Sequence, residues 1–198
     1  AHFSAAGWAV DAPSRAELDV GDCSAVEEWF AGRPAYDLAV CAAGVTKDRP
    51  FLKQTEDEWD AVMGVNARGA AWCARCAAAG MLREGREGQV VMIGSYAAYR
   101  PAPSQAAYAA SKSALEGLVK SLAREWGKKG IRVNLVLPGF MLTDMTEGLR
   151  GSVKEAALSR HVLGRFNTPE QTAAFLLFLQ EALTAASGQV FDLDSRIL

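Results

Sequence analysis

The sequence predicts an α/β fold, a Rossmann-like doubly wound parallel sheet with helices on both faces, and three observations point to it. Apolar runs of strand length alternate with helix-length amphipathic segments along the whole chain. Runs such as QVVMI at 89–93 and IRVNLVL at 131–137 show little polar alternation, as strands covered on both faces require. Strand, helix and strand in repeated order also call for right-handed crossovers between parallel neighbours. No repeat, low-complexity tract or linker breaks the 198 residues, so a single domain over 1–198 is expected.

The elements follow in order. A helix already under way at Ala1 leads to a strand at 7–12 (GWAVDA), then a short strand at 17–20. Residues 24–30 read as a helix with Ser24 as N-cap, and 38–42 (LAVCA) as a buried strand. Thr55 and Glu58 have capping-box spacing and open a long helix towards Leu82. Strand 89–93, helix 107–128 and strand 131–137 come next, then a helix at 168–181 with Pro169 in its first turn. Strand 188–193 closes the sheet.

Composition narrows the functional classes. Lys and Arg number 21 against 23 Asp and Glu, a net charge of −2, and the cations are scattered, which argues against nucleic acid or an anionic membrane as partner. No apolar run approaches the roughly 20 residues that span a bilayer, and residues 1–10 lack a secretory signal pattern. Cys73 and Cys76 form a CxxC, but inside an Ala-rich helix with no second pair, so no metal is expected. Free cysteines packed as small apolar residues fit a cytoplasmic protein. His2 and His161 are too isolated to suggest a metal.

Ligands of such sheets bind beyond the carboxyl ends of the strands. Asp19, Val20, Cys41, Ala42, Ala43, Gly44, Ser95, Pro138 and Gly139 occupy those places. Tyr108 and Lys112 stand four apart on one helix face, so hydroxyl and ammonium can enter one cleft. A nearby ammonium would lower the phenol pKa from about 10, as acid–base work requires.

Ser95, the Tyr108–Lys112 pair, the Val65-Asn66-Ala67-Arg68-Gly69 stretch, Cys41-Ala42-Ala43-Gly44 and Pro138-Gly139, taken in order, resemble the short-chain dehydrogenase/reductase family over nearly the whole chain. The resemblance implies a nicotinamide-dependent oxidoreductase. Tyr108 would be the proton donor for carbonyl reduction, Ser95 would bind the substrate oxygen, and Lys112 would tune Tyr108 and hold the ribose. Asn66 would support a proton relay. Asp19 and Val20 would flank the adenine, with Ala42, Ala43 and Gly44 beside the cofactor; Pro138, Gly139, Met141 and Thr143 would line its nicotinamide end. Ser14 and Arg15 stand where cofactor choice is made, so NADP(H) is favoured over NAD(H), with Asp11 dissenting from mid-strand.

Residues 140–165, punctuated by Gly148, Gly151 and Gly164, read as a substrate lid that Phe140 opens. Residues 138–145, followed by Leu163-Gly164-Arg165 and Thr168-Pro169-Glu170, and Gln105, a substrate contact, look most like the 3-oxoacyl-acyl-carrier-protein reductases. They imply a 3-oxoacyl thioester substrate, carried by protein or CoA, in fatty acid or polyketide metabolism. Arg83, Lys128 and Lys129 could receive an acidic carrier, although solvated surface cations is the plainer reading. A homodimer or homotetramer through the helices at 55–82 and 107–128 is also implied.

The glycine-rich turn of the family and the strand before it are missing from the sequence. That strand should lie between those at 7–12 and 38–42, so more residues upstream are expected. The alternative readings are a catalytically impaired scaffold subunit, or an isomerase or dehydratase on the same fold. Ala42 replaces a frequent Asn, and Asp194-Ser195 stands where Asp-Gly-Gly is common.

Overall fold

A computed structural model describes residues 2–197. Strands β1 (Leu38–Cys41), β2 (Gly88–Ile93), β3 (Ile131–Leu137) and β4 (Val190–Asp192) form one parallel sheet in the order β1-β2-β3-β4. The helices are α1 (His2–Ala5), α2 (Cys23–Ala31), α3 (Glu56–Met63), α4 (Ala70–Arg83), α5 (Ala106–Trp126), α6 (Asp144–Glu147), α7 (Gly151–Leu158) and α8 (Pro169–Glu181).

Alternate strand residues feed two cores, because successive side chains point to opposite faces. Val90, Met92, Val133 and Leu135 pack with Ala74, Ala77, Met81, Leu115 and Val119 of α4 and α5. Val91 and Val136 pack on the other face with Leu176 and Leu179 of α8 and with Phe3 of α1. Two polar residues in β3 have structural partners. Arg132 donates to the carbonyls of Leu179, Gln180 and Leu183, which satisfies the C-terminal end of α8. Asn134 donates to Ala186 O at 2.8 Å and accepts from Gln189 N at 3.1 Å, pinning the entry to β4.

Three local expectations need correction. Residues 7–12 are not a strand: they run without ladder bonds beside β1, separated from it by a groove of about 650 Å³. Paired strands lie about 4.8 Å apart, so two edges facing across an open groove cannot bond to each other. Residues 17–20 are not a strand either. The N–H groups of Glu17 and Leu18 close a turn on Ser14 O, and the Glu17 carboxylate accepts from Ser14 N and Oγ. The cap of α2 is Asp22 rather than Ser24, its carboxylate accepting from the N–H groups of Ser24 and Ala25. Thr55 caps α3 with a capping box, as its spacing predicts, and Thr168 does the same for α8 with Gln171.

Candidate active site

The carboxyl ends of β1, β2 and β3 converge with the first turns of α5 on one cleft. Ser95 lies just past β2 and caps the short turn Tyr96–Ala98, its Oγ accepting from Ala97 N at 3.2 Å. Tyr108 and Lys112 share the face of α5 that looks onto this end of β2. The Lys112 Nζ donates to Ile93 O at 2.8 Å and stands 5.9 Å from the centre of the Tyr108 ring. Lys112 is buried, and burial lowers its pKa from 10.5 to about 8, with Cys41 opposing.

Burial also raises the Tyr108 phenol above its ordinary value; the Ser95 hydroxyl pulls it down and the Asp48 carboxylate adds to the rise. The downward pull expected from Lys112 is not among the influences on this phenol, and desolvation is the largest of them.

Asn66 is fully buried in a π-helical turn, Gly64–Gly69, between α3 and α4. Its amide is committed to Val45, accepting from N and donating to O, and donates also to Ser111 Oγ at 3.1 Å. Ser111 Oγ in turn donates to Tyr108 O at 2.7 Å. Asn66 thus ties the loop after β1 to the helix that carries Tyr108. Gly44 lies in that loop, where a Cβ would stand 3.5 Å from Asn66 Oδ1 and 3.7 Å from Lys112 Nζ.

The groove beside β1 is lined by Asp11, Arg15, Asp19, Val20, Ala42, Ala43 and Gly44 among others. Asp19 Oδ1 accepts from Gly21 N, and Arg15 pairs with Asp19 at 3.2 Å while its side chain stays 78% exposed. The first of these bonds holds the Asp19 pKa below the ordinary carboxylate value. Asp11 accepts from the Tyr36 hydroxyl and stands 3.7 Å from Arg33, so it faces β1's neighbourhood rather than a ladder.

Pro138 and Gly139 follow β3, with Gly139 at φ +83°. Met141 and Thr143 lead into α6, where Thr143 is the N-cap. Phe140 stacks on Phe166 at 4.7 Å. Gln105 ends the turn before α5, its amide accepting from Ala102 N and donating to Asp48 Oδ2.

Sequence reasoning missed Asp48, Asn167 and His161. Asn167 donates to Pro138 O at 2.7 Å and so fixes the loop after β3 from the start of α8. His161, set aside as isolated, is buried beside Asp194. Only distance along the chain hid it, since its partner lies at the far end. Cys73 and Cys76 sit on α4 with their thiols pushed up by burial, Cys73 to about 11. Among the described residues no cluster of three or more His, Cys, Asp or Glu is placed to hold a metal, and no helix is long and apolar enough to cross a membrane.

A family model described as Enoyl-(Acyl carrier protein) reductase matches residues 4–195. The chain belongs to the short-chain dehydrogenase/reductase family. Among relatives within it, a 3-oxoacyl-[acyl-carrier-protein] reductase of Thermotoga maritima is 38% identical over 163 residues, 82% of this chain and 66% of the relative. An acetoacetyl-CoA reductase of Synechocystis sp. is 39% identical over 79% of this chain and 65% of its own length. The chain thus spans about two thirds of the length of these relatives. A solved structure assigned as a 2-deoxy-D-gluconate 3-dehydrogenase from Agrobacterium tumefaciens, with NADP bound, superposes with a TM-score of 0.83. It is 33% identical, over 90% of this chain and 73% of that one.

Proposed function

We propose that this short-chain dehydrogenase/reductase is an NADPH-dependent oxidoreductase that reduces a ketone, a 3-oxoacyl thioester of carrier protein or CoA, to the alcohol. The observation that carries the reading is the buried Lys112 ammonium with one carbonyl partner, next to Tyr108 and within reach of the groove beside β1. An ammonium has three N–H donors, so two remain for ribose hydroxyls. Gly44 keeps the space above Lys112 and Asn66 free of a side chain. Those features fit a nicotinamide nucleotide, and NADP(H) bound there would supply the hydride.

The side chains would do the rest. Tyr108, held protonated by burial, gives its proton to the developing alkoxide, which suits reduction at neutral pH. Ser95 donates to the same oxygen and stabilises its charge. Lys112 orients the ribose and supplies positive charge beside Tyr108. Asn66 holds the β1 loop and α5 in register. Asp19 and Val20 bound the adenine, while the exposed Arg15 guanidinium is placed for a 2′-phosphate and favours NADP(H) over NAD(H). Pro138, Gly139, Met141 and Thr143 line the nicotinamide end; Gln105 and Phe140 border the substrate.

The groove between 7–12 and β1 is the seat of one further parallel strand, in the same polypeptide or added to it, whose glycine-rich turn would supply N–H groups to the pyrophosphate. The groove of about 650 Å³ and the unpaired outer edge of β1 support this. Assembly as a homodimer or homotetramer through α3, α4 and α5 completes the reading. NADPH oxidation with acetoacetyl thioesters is the test, and a protein that binds NADPH but turns over no ketone contradicts it.

A further inference from the structure

We propose that the buried carboxylate of Asp194 is a positioning residue that clamps the wall of the substrate cleft. It joins the end of the lid at His161, the loop at Gly139 and the Ser95–Tyr96 turn in one arrangement. That this cleft takes substrate rests on the reductase reading; the clamp itself rests on geometry alone.

Asp194 follows β4, and its side chain and that of His161 are each 1% exposed. Its Oδ1 stands 2.8 Å from His161 Nε2 and accepts from Arg196 N at 3.0 Å. Its Oδ2 accepts from Arg196 Nε at 2.6 Å, and a second guanidinium nitrogen closes on the same oxygen. The Arg196 guanidinium, so held, lies over the Tyr96 ring, 3.9 Å from its centre, and Tyr96 directly follows Ser95. On the lid side His161 Nδ1 faces Ala157 O at 2.7 Å, while Val162 N donates to Ser195 O at 3.2 Å. The His161 ring meets Phe166 edge-on at 5.2 Å, and Phe166 stacks on Phe140.

The third element is held by contact. Gly139 has φ +83°, and a Cβ there would stand 2.7 Å from Asp194 Oδ2. The carboxylate therefore packs where a side chain would be. The carboxylate touches two parts of the wall directly and reaches the third through Arg196, and none of the three is next to another along the chain.

A buried charge cluster is a weak source of net stability, because desolvating the ions offsets their attraction. What it discriminates is geometry: an ionised carboxylate sealed from water is tolerated only while its donors are in place. The lid helices themselves offer little other anchorage, since Leu142, Met145, Leu149 and Val153 are 40% or more exposed and neither α6 nor α7 has a buried residue. The clamp at the lid's end is thus what fixes its position against Phe140 and the turn at Ser95.

The test compares Asp194→Asn, His161→Phe and His161→Gln in the whole protein by amide hydrogen exchange, steady-state kinetics and NADPH titration. Local exchange at 139–142 and 157–166 should quicken about tenfold in Asp194→Asn and His161→Phe, with exchange in β2 and β3 unchanged. The KM for the ketone should rise about tenfold, the NADPH Kd should rise by less than that because Gly139 also borders the nicotinamide end, and kcat should stay within about twofold. His161→Gln, which keeps a polar nitrogen able to face Asp194, should recover most of both effects. Unchanged lid exchange, a uniform quickening across the chain, or a loss confined to kcat would each overturn the clamp. Local loosening rescued by Gln in a protein that reduces no ketone would leave the clamp standing and refute the reductase reading.

Discussion

Asn66 and Val45 are joined by two hydrogen bonds, Oδ1 accepting from Val45 N at 2.8 Å and Nδ2 donating to Val45 O at 2.9 Å. The side chain of one residue thereby acts as a ladder partner for a loop that has no strand beside it. Asn66→Asp keeps the acceptor but loses the donor, leaving Val45 O without its side-chain partner and the buried Ser111 Oγ with only its bond to Tyr108 O. A loss of about 1–3 kcal/mol is expected from denaturant unfolding. Asn66→Ala should lower kcat/KM as well, because Gly44 and α5 lose their common tie.

Tyr108→Phe removes one oxygen from a half-buried ring. Stability and NADPH affinity should barely change, whereas kcat for ketone reduction should fall roughly 10²–10⁴-fold. Unaltered turnover would exclude Tyr108 as the proton donor.

Burial lowers the Lys112 pKa to about 8 in the folded chain, against 10.5 for the free group. Between those values the unfolded chain binds more protons than the folded one, so this residue makes stability rise with pH through that window. The contribution is complete above about 10.5 and is lost as pH falls through about 8. Lys112→Met should flatten that part of the curve, which chemical denaturation from pH 7 to 11 would reveal. The same variant should weaken NADPH binding.

At Gly69 a Cβ would stand 2.6 Å from Val20 O. Gly69→Ala must therefore push the start of α4 away from the Asp19–Val20 loop, at a cost of about 1–3 kcal/mol. If Val20 borders the adenine, the NADPH Kd should rise, and that rise should exceed any change in the KM for ketone.

An apolar peptide of about six residues followed by a glycine-rich turn has the length to run along β1, since a strand advances about 3.3 Å per residue. Added to the chain, it should raise Tm and slow exchange of the N–H groups of β1. A scrambled peptide of the same composition should do neither.

The pairing of Tyr108 with Lys112 was legible in the sequence because its signal is local. Four residues of α-helix place Tyr108 and Lys112 on one face whatever surrounds them, and Ser95 follows an apolar strand whose end is visible. The strands from Leu38 onwards were legible for the same reason, each being a continuous apolar run. The strand expected at 7–12 failed because a strand exists only through its partners, and its residues lack one here. Capping at α2 shifted by two residues, since Asp22 and Ser24 are both good caps and packing chose between them.

The protonation balance and the clamp belong to tertiary structure. Whether Tyr108 is drawn down by Lys112 or pushed up by burial depends on how deeply both lie, which no spacing records. His161 and Asp194 read separately as a stray histidine and a variant of a common turn. Folding brings them to 2.8 Å by closing the lid onto the segment after β4. Local chemistry is written in neighbouring residues, whereas desolvation and long-range pairing arise only when the chain has packed.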